Sequence, residues 1–250
     1  MQQAICDNWD RHWTDFSEAS QMGPTTRWRS RIVLELLGIP EDEGAARMLE
    51  IGSGRGEFAE AFAGRYPRAA FLGVELSATG VELASTRVCG AQFVQRDLLA
   101  PAQPNHTAGF HATHALCSEV LEHVDVPALL MHHAAEYMEP GCRLVVTLPG
   151  GPWNAFYRHI GHRRHYTPGE LRKLLEGCGF EVEMCRGEGF PFFNLYRLLL
   201  TLRGEKLIAD VSGPPGPLVQ LGSAIFDRLF RLNFGRRWGW QTVAVARYRP

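Results

Sequence analysis

Glycine occupies three alternate positions in the stretch LEIGSGRGEF, residues 49–58, namely Gly52, Gly54 and Gly56. Glycine adopts positive φ angles at no steric cost and lets a ligand come close to the main chain. Backbone N–H groups at the start of a helix also suit negatively charged groups. Because the stretch begins in a short apolar run, it predicts a strand, a sharp turn and a helix, with a ligand held against the turn.

Two acidic side chains follow this turn at the ends of later predicted strands. Glu75 comes roughly twenty residues further on, where a carboxylate can accept hydrogen bonds from both hydroxyls of a ribose. Asp97 follows the third predicted strand in QRDLL, where it can accept a hydrogen bond from an exocyclic amino group. Together with the glycine turn, these carboxylates predict a nucleoside-containing ligand.

The glycine spacing separates two kinds of nucleotide site. A dinucleotide-binding turn reads G-x-G-x-x-G, and its third glycine would fall on Glu57. The pattern here is E-x-G-x-G-x-G, which begins at Glu50. A carboxylate this close would repel a pyrophosphate, whereas it would attract a ligand that carries an ammonium or a sulfonium. The pattern therefore favours a cationic ligand.

Three histidines are candidates for a general base. His123 lies in EVLEHV after the fourth predicted strand, and His162 and His165 lie in GHRRHYTPGEL after the fifth. Imidazole can take a proton from a hydroxyl group near neutral pH. Each of the three could instead be a packing residue, and 158–166 could be a solvated basic loop.

Strands and helices alternate along the chain. Strands are predicted at 47–51, 70–76, 91–95, 112–118, 142–149, 180–186 and 240–249, and helices at 27–38, after Gly56, and at 78–88, 127–138 and 167–179. Thr167 is the predicted cap of the last of these helices. This alternation predicts an α/β fold with a doubly wound, mostly parallel seven-stranded sheet, whose last strand is antiparallel.

A long insert interrupts the alternation at 190–237. It contains two apolar, aromatic stretches separated by SGPPGP, which predict two cap helices. The predicted domains are therefore an N-terminal lid at 1–45, a main domain at 46–189 and 238–250, and a helical cap at 190–237. Aromatic residues of the cap and of the preceding loop could wall an apolar pocket: Trp153, Phe156, Tyr157, Tyr166, Phe190, Phe192, Phe193, Tyr196 and Phe226.

Five motifs in order resemble those of class I S-adenosylmethionine-dependent methyltransferases. They are LEIGSGRGEF, GVELS, QRDLL, CSEVLEHVDVP and MEPGCRLVVTLP. The resemblance implies a Rossmann-like methyltransferase fold, S-adenosylmethionine as cofactor, and an enzyme that methylates a small acceptor. The implied cofactor-binding residues are Glu50, Gly52, Ser53, Gly54 and Gly56 for the methionine part, Glu75 and Leu76 at the ribose, Asp97 and Leu98 at the adenine, and Cys117, Ser118 and Glu119 at the floor.

The motif E-x-x-E-H formed by Glu119, Glu122 and His123 raises the alternative of a metal-dependent reaction. Two carboxylates and an imidazole can converge on a divalent ion, with His162 or His165 as a fourth ligand. The spacing resembles that of quinone-biosynthesis O-methyltransferases and small-RNA 2′-O-methyltransferases. Because the same string is common in relatives without a metal, a metal-free site is the favoured interpretation.

Composition narrows the choice of partners. The 250 residues carry a net charge of −1, which disfavours nucleic acid as a partner. Residues 190–250 nevertheless hold nine Lys and Arg against three acidic residues, so peripheral membrane contact through 218–237 is one hypothesis. Six scattered cysteines without a C-x-x-C pair, and an N-terminus without a signal-peptide pattern, predict a cytoplasmic protein.

The sequence therefore favours O-methylation of a small apolar or aromatic acceptor. A 2′-O RNA methyltransferase and a catalytically inactive cofactor-binding protein are the alternatives. In addition, an arginine among Arg27, Arg29 and Arg31 could pair with the cofactor carboxylate.

Overall fold

The structure, a computed structural model, describes residues 9–15, 23–40, 46–101, 109–153, 157–158, 161–203, 217–234 and 237–250. One mixed sheet runs through it, in the order β3-β2-β1-β4-β5-β7-β6. The strands are β1 Arg47–Ile51, β2 Ala70–Glu75, β3 Gln92–Gln95, β4 Ala112–Ser118, β5 Met138–Pro149, β6 Phe180–Glu188 and β7 Gln241–Tyr248. β7 runs antiparallel to β5 and β6, and the other neighbouring strands pair in parallel. The predicted sheet is therefore confirmed.

Helices cover both faces of this sheet. They are α1 Trp9–Asp15, α2 Pro24–Leu37, α3 Glu57–Arg65, α4 Ala78–Arg87, α5 Pro127–Ala135, α6 Pro168–Gly177, α7 Phe192–Arg203 and α8 Pro217–Leu229, with 3-10 turns at Leu121–His123 and Phe230–Leu232. One apolar core includes Met131 and Leu171. The other includes Val33 and Phe62. Two cores on opposite faces are the signature of a doubly wound sheet.

The helix that begins after Thr167 starts as predicted. The Thr167 side chain accepts a hydrogen bond from the Glu170 N–H, and the Glu170 carboxylate accepts one from the Thr167 N–H. This reciprocal capping box satisfies two donors that a helix start otherwise leaves unpaired.

The helix predicted at 127–138 is shorter in the structure. It ends at Ala135, and β5 already begins at Met138. The Ala112 N–H donates to the Tyr137 carbonyl (2.7 Å), and Met138 pairs with Ala112 in the sheet. Pairing with β4 therefore overrides the helical pattern at these residues.

Helices α7 and α8 and the turn Phe230–Leu232 form a unit that we call the cap hairpin. Its inner face packs Phe193 and Phe230 against Trp28 of α2. The predicted cap helices are thus present, while the predicted domain boundaries stay a prediction. In the described part of the chain, no helix is long and apolar enough to cross a membrane.

Candidate functional site

The glycine turn between β1 and α3 has the geometry that its sequence predicts. Gly52, Gly54 and Gly56 have φ angles of 71°, 53° and 79°. The Gly52 N–H donates to the Val74 carbonyl (2.8 Å), which fixes the turn to β2. A Cβ at Gly52 would overlap the Val120 side chain, and one at Gly54 would lie 2.9 Å from the Trp13 ring. Both conformation and space therefore require glycine here.

A cavity of about 480 Å³ opens above this turn, at the carboxyl ends of the parallel strands. This is where ligands bind in open α/β sheets. All but two of the residues predicted to bind the cofactor line it: Glu50, Gly52, Ser53, Gly54, Glu75, Leu76, Asp97, Leu98, Ser118 and Glu119.

Gly56 and Cys117 do not line this cavity, so their contact with the cofactor stays a prediction. Gly56 is the N-cap of α3, and its α-carbon faces Ala84 of α4. Cys117 is fully buried in the core. Because side chains alternate between the faces of a strand, Leu116 and Ser118 reach the cavity while Cys117 points the other way.

Three carboxylates crowd the turn. Glu50 is buried, and its Oε2 atom has no hydrogen-bond partner among the described residues. Burial raises the pKa of Glu50 well above its usual range, and repulsion from Glu57 and Glu75 raises it further. A cationic group in the cavity would relieve this repulsion and satisfy the unpaired oxygen, so the turn suits a ligand with an ammonium or a sulfonium.

Glu75 ties two loops together at the end of β2. Its Oε2 accepts the Gly54 N–H (2.8 Å), and its Oε1 accepts the Ser77 N–H (2.9 Å). Burial raises the pKa of Glu75, although these N–H donors favour the ionised form. Each carboxylate oxygen retains an acceptor site, as a ribose requires. Asp97 accepts the Leu99 N–H (2.8 Å) at the end of β3.

Helix α1 lies over the glycine turn. Asp10 accepts hydrogen bonds from the Ser77 hydroxyl and from the Thr79 N–H (3.1 Å) at the start of α4. Trp9 and Trp13 line the cavity. The lid at 1–45 stays a prediction, and most of its first residues lie outside the described ranges. Sequence reasoning missed Asp10, because no local pattern pairs it with Ser77.

The three candidate histidines come together beside the cavity. The ring centroids of His123 and His162 are 4.7 Å apart, and His162 Nδ1 lies 3.4 Å from His165 Nε2. Burial lowers the pKa of His123 to about 4, of His162 to about 2 and of His165 to about 4. All three imidazoles are therefore neutral at physiological pH. Of the three, His123 lines the cavity.

Glu122 lies at the centre of this cluster. It is fully buried, and neither carboxylate oxygen has a partner among the described residues. Burial and the nearby Glu119 raise the pKa of Glu122 well above its usual range. Glu122, His123 and His162 each offer a ligand atom, all within 4.8 Å of one another. These atoms could share a proton or hold a divalent cation.

Comparison with known proteins identifies the family. Residues 21–184, more than half of the chain, match the methyltransferase domain family. The chain belongs to the methyltransferase domain family. It is 28% identical over 162 residues to a trans-aconitate 2-methyltransferase from Rhizobium etli, an alignment that covers 58% of this chain and 61% of the relative. The chain thus spans less than two thirds of the length of that relative.

Solved structures show the same fold. The [4+2]-cyclase SpnF is similar with a TM-score of 0.59 and 16% identity, over 88% of this chain and 80% of its own. The geranyl diphosphate C-methyltransferase from Streptomyces coelicolor, solved with S-adenosyl-L-homocysteine, is similar with a TM-score of 0.58 and 16% identity, over 89% of this chain and 78% of its own. The resemblance to class I S-adenosylmethionine-dependent methyltransferases is confirmed by the family match and by the shared fold.

Glu119 occupies an unusual position in this methyltransferase. Its φ angle is 56°, a left-handed conformation that is rare for residues other than glycine. Its carboxylate accepts the Gln241 side-chain amide (2.7 Å) and lies 3.5 Å from Arg29. Of the predicted metal ligands, Glu122, His123 and His162 come together in the structure, whereas the Glu119 carboxylate has these other partners. Metal binding stays a prediction.

The structure places only some of the predicted arginines, and none of the described cap aromatics, at the cavity. Arg29 lines the cavity, whereas Arg27 pairs with Asp227 (3.3 Å) and Arg31 lies on the opposite side of α2.

The described cap aromatics do not line this cavity, because they pack on Trp28 or on one another. In the preceding loop, Tyr157 and Trp153 contact the His165 ring, and Tyr166 packs in the core. Phe156 lies outside the described residues.

Proposed function

We propose that this methyltransferase transfers a methyl group from S-adenosylmethionine to a hydroxyl oxygen of a small apolar or aromatic acceptor. One observation carries the proposal: a single cavity is lined both by the glycine turn with its carboxylates and by His123. The first group suits a cationic nucleoside, and the second is a neutral imidazole that can accept a proton. Cofactor and base would thus meet in one enclosed space.

The turn would hold the cofactor in a defined direction. Glu50 would accept the ammonium group of the methionine part, because its unpaired Oε2 lies buried at the end of β1. Glu75 would accept the ribose hydroxyls. Asp97 and Leu98 would flank the adenine, and Ser118 and Glu119 would close the floor. When bound, S-adenosylmethionine supplies an electrophilic methyl group on its sulfonium.

His123 would take the acceptor proton. Its Nδ1 atom is buried without a hydrogen-bond partner among the described residues. Because burial lowers its pKa to about 4, the imidazole is unprotonated at neutral pH and offers a nitrogen lone pair. The Glu122 carboxyl group lies next to it, and its ionised form would stabilise the resulting imidazolium. Trp9, whose ring centroid lies 4.9 Å from that of His123, would help to exclude water.

The same cluster favours a second mechanism, in which a divalent cation activates the hydroxyl. Glu122, His123 and His162 form a carboxylate and imidazole set of the type that binds such ions. The cation would withdraw electron density from the acceptor oxygen, so no protein base would be required. Dialysis against EDTA separates the mechanisms: a loss of activity that Mg²⁺, Mn²⁺ or Zn²⁺ restores supports the cation, and an unchanged rate supports His123 as base.

An acceptor screen with methyl-deuterated S-adenosylmethionine tests the proposed function. The panel contains phenols, apolar alcohols, amines, organic acids and unstructured RNA, and mass spectrometry locates the label. The organic acids are included because the curated relative is a trans-aconitate methyltransferase. Label on a phenol or alcohol oxygen is the expected result. Label only on nitrogen, carbon, a carboxylate or RNA would refute the proposed acceptor class, although not the cofactor.

A further inference from the structure

The cap hairpin exposes an unusual amount of apolar surface. On α7, the side chains of Leu195, Leu198, Leu199 and Leu202 are exposed, at the spacing of one helical face. On α8 and after it, the exposed side chains are Leu221, Ile225, Leu232, Phe234 and Trp238. Leu202, Phe234 and Trp238 are 74%, 72% and 65% exposed. We call these nine side chains the outer face.

The outer face belongs to one packed unit. Tyr196 of α7 and Phe226 of α8 hold the two helices together, with ring centroids 4.9 Å apart. The ring of Phe190, just before α7, packs against two other rings, with centroid distances of 6.0 Å to Phe234 and 5.7 Å to Trp238. The aromatic pair that follows α8 therefore lies beside the start of α7. Exposed apolar patches of this kind mark interaction surfaces in proteins that are otherwise well packed.

Positive charge accompanies this apolar surface. Arg228, Arg231 and Arg237 are exposed and have no ion-pair partner among the described residues. Asp227 is the one acidic residue in the described part of 190–240, and it pairs with Arg27 of α2 (3.3 Å). Within the described part of 190–240, the exposed charge next to the outer face is thus positive. Long arginine side chains can lie along an apolar surface and extend their guanidinium groups to a polar boundary.

We propose that the outer face of the cap hairpin docks on an anionic lipid bilayer. Leucine and aromatic side chains would enter the boundary between acyl chains and headgroups, and the three arginines would meet the negatively charged headgroups. A second copy of this chain fits less well. In a symmetric dimer the same patch faces itself, so the arginines of the two copies would come together. A bilayer supplies both the apolar layer and the opposite charge.

Vesicle co-sedimentation of the full chain tests this docking. Vesicles of phosphatidylcholine alone are compared with vesicles that contain roughly one third phosphatidylserine, an anionic lipid. We expect binding to the anionic vesicles only. Raising the salt concentration from about 0.1 M to about 1 M shortens the screening length from about 10 Å to about 3 Å and should release the protein.

Two variants separate the contributions of charge and apolar surface. Replacing Arg228, Arg231 and Arg237 with Gln should weaken binding about fivefold for each charge, or about a hundredfold together. The double change Leu198→Ser and Leu202→Ser should weaken it at least about tenfold. The three arginines and two leucines changed in these variants are exposed, so the fold should persist. Titration with S-adenosylhomocysteine checks that each variant is folded.

Matched controls use exposed residues elsewhere on the molecule. Val126→Ser with Leu129→Ser removes exposed apolar surface at the start of α5, and Arg249→Gln removes an exposed charge at the end of the chain. Both should sediment like the wild type. Absence of binding to anionic vesicles, or equal binding to both vesicle types, would overturn the proposal. So would a dimer in lipid-free solution that Leu198→Ser with Leu202→Ser dissociates, if no vesicle binding accompanies it.

Discussion

The glycine turn and the histidine cluster flank the same cavity but are built in opposite ways. The turn consists of one continuous segment, 50–56, whose shape is set by backbone conformation and by hydrogen bonds to β2. The cluster joins His123 and His162, which lie on different loops; the Arg163 N–H donates to the Glu122 carbonyl (2.7 Å) and ties these loops together. Each region holds a buried carboxylate with an oxygen that has no hydrogen-bond partner among the described residues, namely Oε2 of Glu50 in one and both oxygens of Glu122 in the other.

This difference indicates separate roles for the two regions, cofactor binding for the turn and methyl transfer for the cluster. A backbone-defined turn suits a ligand that is always the same, because its geometry leaves little freedom. A cluster of side chains from separate loops can change with the acceptor and its chemistry. Changes in the turn should therefore affect cofactor affinity and stability, and changes in the cluster should affect the rate of methyl transfer.

The largest effect is expected at His123. The change His123→Gln removes the base while keeping a polar side chain of similar size, so kcat should fall about 10²- to 10⁴-fold. S-adenosylhomocysteine affinity should stay within about twofold, because the turn is untouched. Stopped-time assays and calorimetry measure the two quantities. His132→Gln, at an exposed position of α5, is the matched control and should retain activity. An equal loss in both variants would refute a role in catalysis.

Gly52→Ala should give the next largest effect. The added methyl group would overlap Val120 and force a side chain into the left-handed region, which should lower the free energy of unfolding by about 3 kcal/mol and abolish cofactor binding. Urea denaturation measures the stability. Gly64→Ala, in the last turn of α3 with open space around it, should raise stability by about 0.5–1 kcal/mol instead.

A double-mutant cycle sharpens this test. The change Val120→Ala removes the side chain that the new methyl group would meet, so it should recover part of the stability lost in Gly52→Ala. The remaining loss then measures backbone strain alone. If Val120→Ala restores nothing, the clash is not the cause of the destabilisation.

Glu50→Gln should weaken cofactor binding and, at the same time, stabilise the ligand-free protein. Loss of a charged hydrogen bond to the cofactor ammonium should reduce affinity about 10- to 100-fold. Burial raises the pKa of Glu50 in the folded state, so the folded protein binds this proton more tightly than the unfolded chain. Stability of the ligand-free wild type should therefore fall as pH rises above about 4.5, the unfolded value. Glu50→Gln should remove this contribution, which thermal melts at several pH values can detect.

The smallest effect is expected at Asp10. The change Asp10→Ala removes the contacts that tie α1 to Ser77 and Thr79, so cofactor affinity should fall about two- to fivefold. Thr14→Ala, an exposed residue of the same helix, is the control and should bind normally. Equal affinities of Asp10→Ala and the wild type would show that α1 does not contribute to the site.

The sequence predicts the turn far better than it predicts the surroundings of the cluster. Three alternate glycines and the acidic residues at strand ends are local patterns, and the structure brings nearly all of them to one cavity. The contact between Glu119 and Gln241 joins residues 122 positions apart, and that between Asp10 and Ser77 spans 67. No local periodicity encodes such pairs, because they depend on how the whole sheet closes.

The alternation of side chains along β4 explains why Cys117 is absent from the cavity lining. The motif placed Cys117 at the cofactor floor together with its neighbour Ser118, although adjacent residues of a strand point to opposite faces. The length of β5 was also underestimated, since pairing with β4 extends it to Met138. Both differences arise from sheet geometry, which becomes certain only when the neighbouring strands are known.

Calorimetric titration of S-adenosylhomocysteine into the wild-type protein tests the central claim most directly. NADH is the control ligand, and Glu75→Ala is titrated beside the wild type. The cavity geometry predicts that S-adenosylhomocysteine binds, that NADH does not, and that Glu75→Ala weakens binding about tenfold or more. Binding of NADH alone, or of neither ligand to a folded wild-type protein, would contradict the assignment of this cavity to S-adenosylmethionine.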